Sequence, residues 1–140
     1  MKSLLTFLCL FKIAFLFAQT NSIQPGAHAE YPSVINYDTI YQYDNGIREF
    51  YVKNTGDYPL IVSNCKTSCG CLVCNWYKEP IMPGDSAKFT AKYHTARVVP
   101  INKTITFSSN AKNGPYSRIR IKGMVLPKEE EEEEEEKETN

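Results

Sequence analysis

The chain has 140 residues, which allows one domain of ordinary size. Nine Tyr and seven Phe, with β-branched residues and scattered Gly and Pro, lean toward strands rather than helices. The formal charge of zero conceals a segregation: residues 34–126 carry twelve Lys or Arg against six Asp or Glu, whereas residues 127–140 carry nine Glu and two Lys. A mildly basic body with an acidic end describes the chain better than neutrality does.

The N-terminus reads as an address. Lys2 supplies a positive start, and an apolar run from Leu4 to Phe17 follows, ending on Ala18 before the polar Gln19-Thr20-Asn21-Ser22. This is the layout of a secretory signal peptide over residues 1–18, cleaved after Ala18. The run is short for a membrane span of roughly 20 residues and Lys12 interrupts it, so no stable membrane insertion is expected after cleavage. Cys9 leaves with the signal. The mature protein, expected to be periplasmic or secreted, then keeps four cysteines in a compartment where disulfides persist.

Residues 19–33 carry Pro25, Gly26 and Pro32 without periodicity and predict a flexible leader. Strand patterns then follow at short spacing. Val34–Tyr41 is rich in β-formers, Ile47–Lys53 sets Phe50 and Val52 on one face, and Asn54-Thr55-Gly56-Asp57 is a turn. Pro59–Ser63 resumes with Leu60 and Val62. Pro83-Gly84-Asp85 suits a type II turn. Ala87–Tyr93 alternates Ala87, Phe89, Ala91 and Tyr93 against Lys88 and Lys92. Ile101–Ser108 repeats the device through Ile101, Lys103, Ile105 and Phe107. Asn110–Pro115, with Asn113-Gly114, predicts a hairpin connection, and Tyr116–Val125 turns Ile119 and Ile121 inward and Arg118, Arg120 and Lys122 outward.

Six or seven such strands and no helical period predict an all-β fold, an immunoglobulin-like antiparallel β-sandwich over residues 34–126, in preference to a small barrel. From residue 127 the chain is an acidic tail. The carboxylates of Glu129 to Glu136 repel one another and bury nothing, so the tail is expected to be solvated and disordered.

Several elements resemble a bacterial family named only as domain of unknown function 1573, common in exported proteins of the Bacteroidetes. They are Tyr37-Asp38-Thr39-Ile40, the run from Phe50 to Val62 with its Asn-Thr-Gly turn, Ser68-Cys69-Gly70-Cys71, Trp76, Glu79-Pro80-Ile81-Met82-Pro83-Gly84 and Ser109-Asn110-Ala111. The Ser-Cys-Gly-Cys element followed by Trp and Pro-Gly is the specific part. Cys65, Cys74 and Leu72 depart from the family pattern. The resemblance implies an immunoglobulin-like sandwich, similar to modules of cilia- and centrosome-associated proteins, and implies no reaction.

Chemistry concentrates in Cys65, Cys69, Cys71 and Cys74, a C-x3-C-x-C-x2-C pattern. On an extended strand Cys69 and Cys71 would stand roughly 6.6 Å apart at Cα, too far for their Cβ atoms to bridge without a bend. Gly70 permits one. Three readings stay open. The preferred one is two structural disulfides, with three connectivities that spacing does not rank. The second is capture of Cu(I) or Zn²⁺, by Cys69 and Cys71 or by all four. The third is thiol–disulfide exchange, with Lys66 or Lys78 holding a thiolate.

No nucleophile elbow, zinc-protease helix motif or phosphate loop occurs, so neither an enzyme nor a cofactor is expected. His94 ends a strand and reads as a surface residue, and His28 falls in the leader. Trp76 and Tyr77 are candidate partner contacts, with Trp76 better explained as a core plug. The Arg118, Arg120 and Lys122 face is a solvated strand face, which the Glu run would complement as a salt-sensitive mask. The expected role is an exported, non-catalytic interaction or assembly module with a protein or cell-envelope partner and no nucleic acid.

Overall fold

Alternation decides the layers. Each long strand buries every second side chain, and two sheets facing one another across those buried rows satisfy all of them. The structure, a computed structural model, describes residues 25–129. Its strands are β1 (Ala29–Glu30), β2 (Val34–Tyr41), β3 (Ile47–Asn54), β4 (Val62–Thr67), β5 (Leu72–Asn75), β6 (Ser86–Tyr93), β7 (Pro100–Ser109) and β8 (Tyr116–Leu126). One sheet has the order β1-β3-β6-β5 and the other β2-β8-β7-β4. The fold is an immunoglobulin-like β-sandwich. Every pair is antiparallel except β2–β8, because the chain leaves β2 for the opposite sheet and returns to its side only with β4, β7 and β8.

The core lies between the sheets. Phe50, Val52, Phe89 and Ala91 meet Ile105, Phe107, Ile119, Ile121 and Val125, all buried, and the Phe89 and Phe107 rings approach to 6.1 Å between centroids. Two polar side chains brace its ends. Tyr37 reaches from β2 into the other sheet, its hydroxyl 2.8 Å from Ala91 O and 2.9 Å from Gly46 O, so that one proton is shared between two carbonyls. Asn54 is fully buried; its amide donates to Tyr58 O and Ile81 O, and its oxygen accepts from the backbone of Gly56. Neither amide nor hydroxyl is left unsatisfied, which is what keeps these groups affordable in a low-dielectric interior.

The predicted turns take the expected form at Met82–Asp85, where Asp85 N donates to Met82 O at 3.0 Å and Gly84 has φ 85°. The segment read as a leader is ordered from Pro25 onward. Ala27 and Ala29 are buried, and β1 adds to the edge of β3. Asn113 clasps that strand through both its backbone groups, accepting from Ala29 N at 3.0 Å and donating to Ala29 O at 2.8 Å. His28, instead of belonging to a loose leader, accepts Thr55 N–H at its carbonyl. Two buried alanines, the Asn113 amide and backbone bonds from Thr55, Asp57 and Lys112 together order a stretch that has no periodicity of its own. The structured part therefore begins before residue 34. The signal peptide expected over residues 1–18 and the acidic tail expected beyond Glu129 lie outside the described residues.

Candidate functional site

The four cysteines sit where the chain passes from one sheet to the other. β4 is the outer strand of its sheet and β5 the outer strand of the opposite one, and residues 68–71 join them. β4 pairs with β7 through Cys65↔Phe107, and β5 pairs with β6 through Cys74↔Ala91. These registers point both cysteines toward the core, and they form a disulfide with Cα atoms 6.3 Å apart. It is a covalent tie between the two sheets, close behind the tip of the connection.

Cys69 and Cys71 form the second disulfide, at the tip. The bend that Gly70 allows brings their Cα atoms to 5.3 Å, well inside the extended spacing. Nothing approaches the open side of Gly70: a Cβ built there would meet no atom within 4 Å. The backbone of the tip is held independently of the sulfurs. Ser68 N donates to Thr104 O, Thr104 N donates to Ser68 Oγ, Thr67 Oγ1 donates to Cys69 O, and His94 N donates to Cys71 O at 2.8 Å.

Beside the tip lies a groove of about 540 Å³, lined by Cys71 together with Tyr93, His94, Arg97, Pro100 and Lys103 among others. The cations expected beside the cysteines were Lys66 and Lys78, and neither lines it. Lys66 points outward from β4, and Lys78 Nζ stands 3.1 Å over the ring of Trp76. Arg97 and Lys103 take their place. Lys103 carried a signal in the sequence, as a charged residue at a core-facing position between Ile101 and Ile105. Arg97 carried none, since it lies in the connection between β6 and β7.

Trp76 is half-buried against the core, and its Nε1 donates to Val62 O at 3.3 Å, so it bridges from the end of β5 to the start of β4. That is the plug role. Tyr77, next in the chain, is exposed, and its hydroxyl donates to Glu79 at 3.1 Å, which raises the phenol's pKa. The outer face of the β1-β3-β6-β5 sheet shows more apolar surface. In register across it lie Val73, Lys92 and Ile47, then Asn75, Thr90 and Glu49, then Tyr51 opposite Lys88; Tyr51 is 58% exposed, Val73 45% and Ile47 42%. On the other sheet, Arg118 pairs with Thr106, which pairs with Lys66, so Lys66 joins Arg118, Arg120 and Lys122 on one basic face.

Among the described residues no group of three or more His, Cys, Asp or Glu is arranged to hold a metal, and the four sulfurs are taken up in bridges. Among the same residues no helix is long and apolar enough to cross a membrane.

A family model described as a protein of unknown function, DUF1573, matches residues 31–125. The chain belongs to that family. The match takes in β2 to β8 and the whole cysteine-bearing tip, and it begins just after β1. No curated protein matches the sequence. Among solved structures, the DUF1573 domain is similar to a protein of unknown function from Porphyromonas gingivalis W83, with 18% identity and a TM-score of 0.64 over 77% of this chain and 50% of that one. The present chain thus spans about half the length of that relative. It is also similar to the ASH/PapD-like domain 7 of human CEP192, with 9% identity and a TM-score of 0.64 over 81% of this chain and 95% of that domain. The periplasmic chaperone SfaE follows at 10% identity and a TM-score of 0.51, over 74% of this chain and 59% of that one. At these identities the likeness is one of fold.

Proposed function

We propose that this DUF1573 domain is an exported, non-catalytic interaction or assembly module that binds a protein or cell-envelope partner through the outer face of the β1-β3-β6-β5 sheet. The observation that carries the reading is the exposed row on that face. Ile47 and Val73 flank Lys92, and Tyr51 lies opposite Lys88 farther along the same face, with Glu49, Thr90 and Asn75 between them and Glu49 paired to Lys88 at 3.0 Å. Two aliphatics and an aromatic, exposed on one face among lysines and the Glu49–Lys88 ion pair, give apolar anchors within a polar surround, as protein interfaces have. Tyr77 and Met82, exposed where the chain returns from β5 to β6, extend the same surface.

Two disulfides in so small a domain suit an oxidising compartment and support export. The fold shared with a PapD-like domain and a periplasmic chaperone is compatible with binding and selects no partner. The module needs no metal or cofactor; Cu(I) or Zn²⁺ would need at least one bridge opened first.

Site-specific photo-crosslinking tests the reading. A photoreactive residue at Tyr51 or Val73 should give a discrete adduct in the protein's own cell envelope, and one at Arg118, on the opposite face, should not. Ile47→Asp should weaken that adduct about tenfold, as loss of an interface anchor does, with an unchanged far-ultraviolet spectrum. Equal labelling from both faces would refute the surface assignment.

A further inference from the structure

The two disulfides occupy different surroundings, and the difference bears on what they do. Cys65–Cys74 ties the two sheets together with Cys74 inside the buried core, whereas Cys65, Cys69 and Cys71 are partly buried against it. Cys69–Cys71 closes a loop with one residue between its cysteines, on an exposed tip whose Gly70 side is open. Closing so short a loop removes little freedom from the unfolded chain, so this bridge adds little to folding stability. Cys71 also lines a groove with His94, Arg97 and Lys103, and positive side chains beside a sulfur favour its thiolate. Low structural value, access and neighbouring cations are the marks of an exchangeable disulfide.

We propose that Cys69–Cys71 is a redox-active disulfide that the domain passes to the dithiol of an acidic peptide segment lodged in the Arg97–Lys103 groove, while Cys65–Cys74 stays closed and holds the tip in place. A thiolate of the bound segment attacks Cys71 Sγ, forming a mixed disulfide and releasing Cys69 as a thiolate. The segment's second thiolate attacks its own sulfur in that mixed disulfide, and Cys71 leaves as a thiolate beside Arg97 and Lys103. The segment gains one disulfide. The domain takes up two electrons as the Cys69 and Cys71 thiol pair, and the two protons shed by the segment are bound there or released to solvent. The exchange is stoichiometric, one disulfide per molecule, and adds to the partner-binding role without requiring turnover. The hydrogen bonds from Ser68, Thr104, Thr67 and His94 do not involve sulfur, so the two thiols remain neighbours after reduction.

The test uses the oxidised mature protein and two reduced dithiol peptides that differ only in carrying acidic or basic flanking residues, so it depends on no cellular partner. Exchange is stopped by alkylation and mapped by mass. Label is expected on Cys69 and Cys71 with Cys65–Cys74 intact, and the tip bridge should open at a thiol ratio about tenfold less reducing than the inter-sheet one, a separation of about 30 mV. The acidic peptide should react about fivefold faster than the basic one at low salt, and R97Q/K103Q should abolish that preference. With one tip thiol left in each variant, C69S, which keeps Cys71, should trap a mixed disulfide with the oxidised acidic peptide faster than C71S does. If the two bridges open together, the proposal is overturned. If the tip opens but neither peptide charge nor R97Q/K103Q changes its rate, the acidic substrate and its groove are overturned.

Discussion

Cys65 on β4 and Cys74 on β5 join the outer strands of opposite sheets, with Cα atoms 6.3 Å apart. Besides the four-residue tip, this is the covalent link between the sheets at that side of the sandwich. The loop it closes spans about ten residues, for which the chain-entropy account gives about 3 kcal/mol. C65A/C74A should therefore lower the unfolding free energy by about 3 kcal/mol, measured by urea denaturation. C69A/C71A should cost distinctly less, because the closed loop is shorter. Equal losses would show that the tip bridge is structural after all.

Tyr37 makes stability depend on alkaline pH. Burial is the largest cause that raises its phenol to about 12, against the opposing charge of Arg48, whose guanidinium carbon lies 4.7 Å from the ring centre. In the unfolded chain the phenol ionises near pH 10. Below pH 10 the contribution is complete; between pH 10 and about 12 the unfolded state sheds the proton more readily, and the contribution is lost. The descent amounts to about 2–3 kcal/mol across that window. Denaturation midpoints between pH 9 and 12 should show it, and Y37F should flatten the part due to this residue while being less stable at neutral pH, where the shared proton between Gly46 O and Ala91 O is gone.

Asn54 places donors and an acceptor where side-chain identity matters more than size. Its amide nitrogen faces two carbonyls, Tyr58 O at 2.7 Å and Ile81 O at 2.9 Å. Aspartate is nearly isosteric, yet a carboxylate oxygen would oppose both carbonyls and bury a charge. N54D should destabilise by about 3 kcal/mol or more and N54A by about 2, both read from thermal unfolding. A smaller loss for aspartate than for alanine would refute the assigned amide orientation.

Asn113 decides whether β1 stays on the sheet. N113A removes both bonds to Ala29, leaving β1 with its two-residue pairing to β3, the burial of Ala27 and Ala29, and the backbone bonds from Thr55, Asp57 and Lys112 to residues 26–28. Amide hydrogen exchange at residues 27–30 should speed up about tenfold or more, while β7 and β8 stay protected. Unchanged exchange would mean that pairing with β3 alone suffices.

The long strands were legible because they alternate. Ala87, Phe89, Ala91 and Tyr93 are buried, and Lys88 and Lys92 exposed, as their spacing requires. The short strands were not. β1 has two residues, too few for any period, and its place is set by pairing with β3 and by Asn113, 84 positions away. β5 is Leu72-Val73-Cys74-Asn75, four residues that are too few to set an alternation of their own. The strand begun at Pro59 in the sequence starts instead at Val62 and runs on to Thr67, with Leu60 reduced to a single bridge to Ile81. The site was half legible: cysteine content and Gly70 pointed to the tip, but Arg97 comes to line the same groove as Cys71 only through the β6–β7 connection.

Local chemistry thus determined the all-strand class, the turn at Pro83-Gly84, the inward and outward faces, and the bend that Gly70 permits, since each depends on residues a few positions apart. Tertiary structure alone decided which cysteine pairs with which, that β2 lies parallel to β8, and which cations stand beside Cys71. Those outcomes depend on strands that meet across the sandwich from distant parts of the chain, and a one-dimensional pattern holds no distance between them.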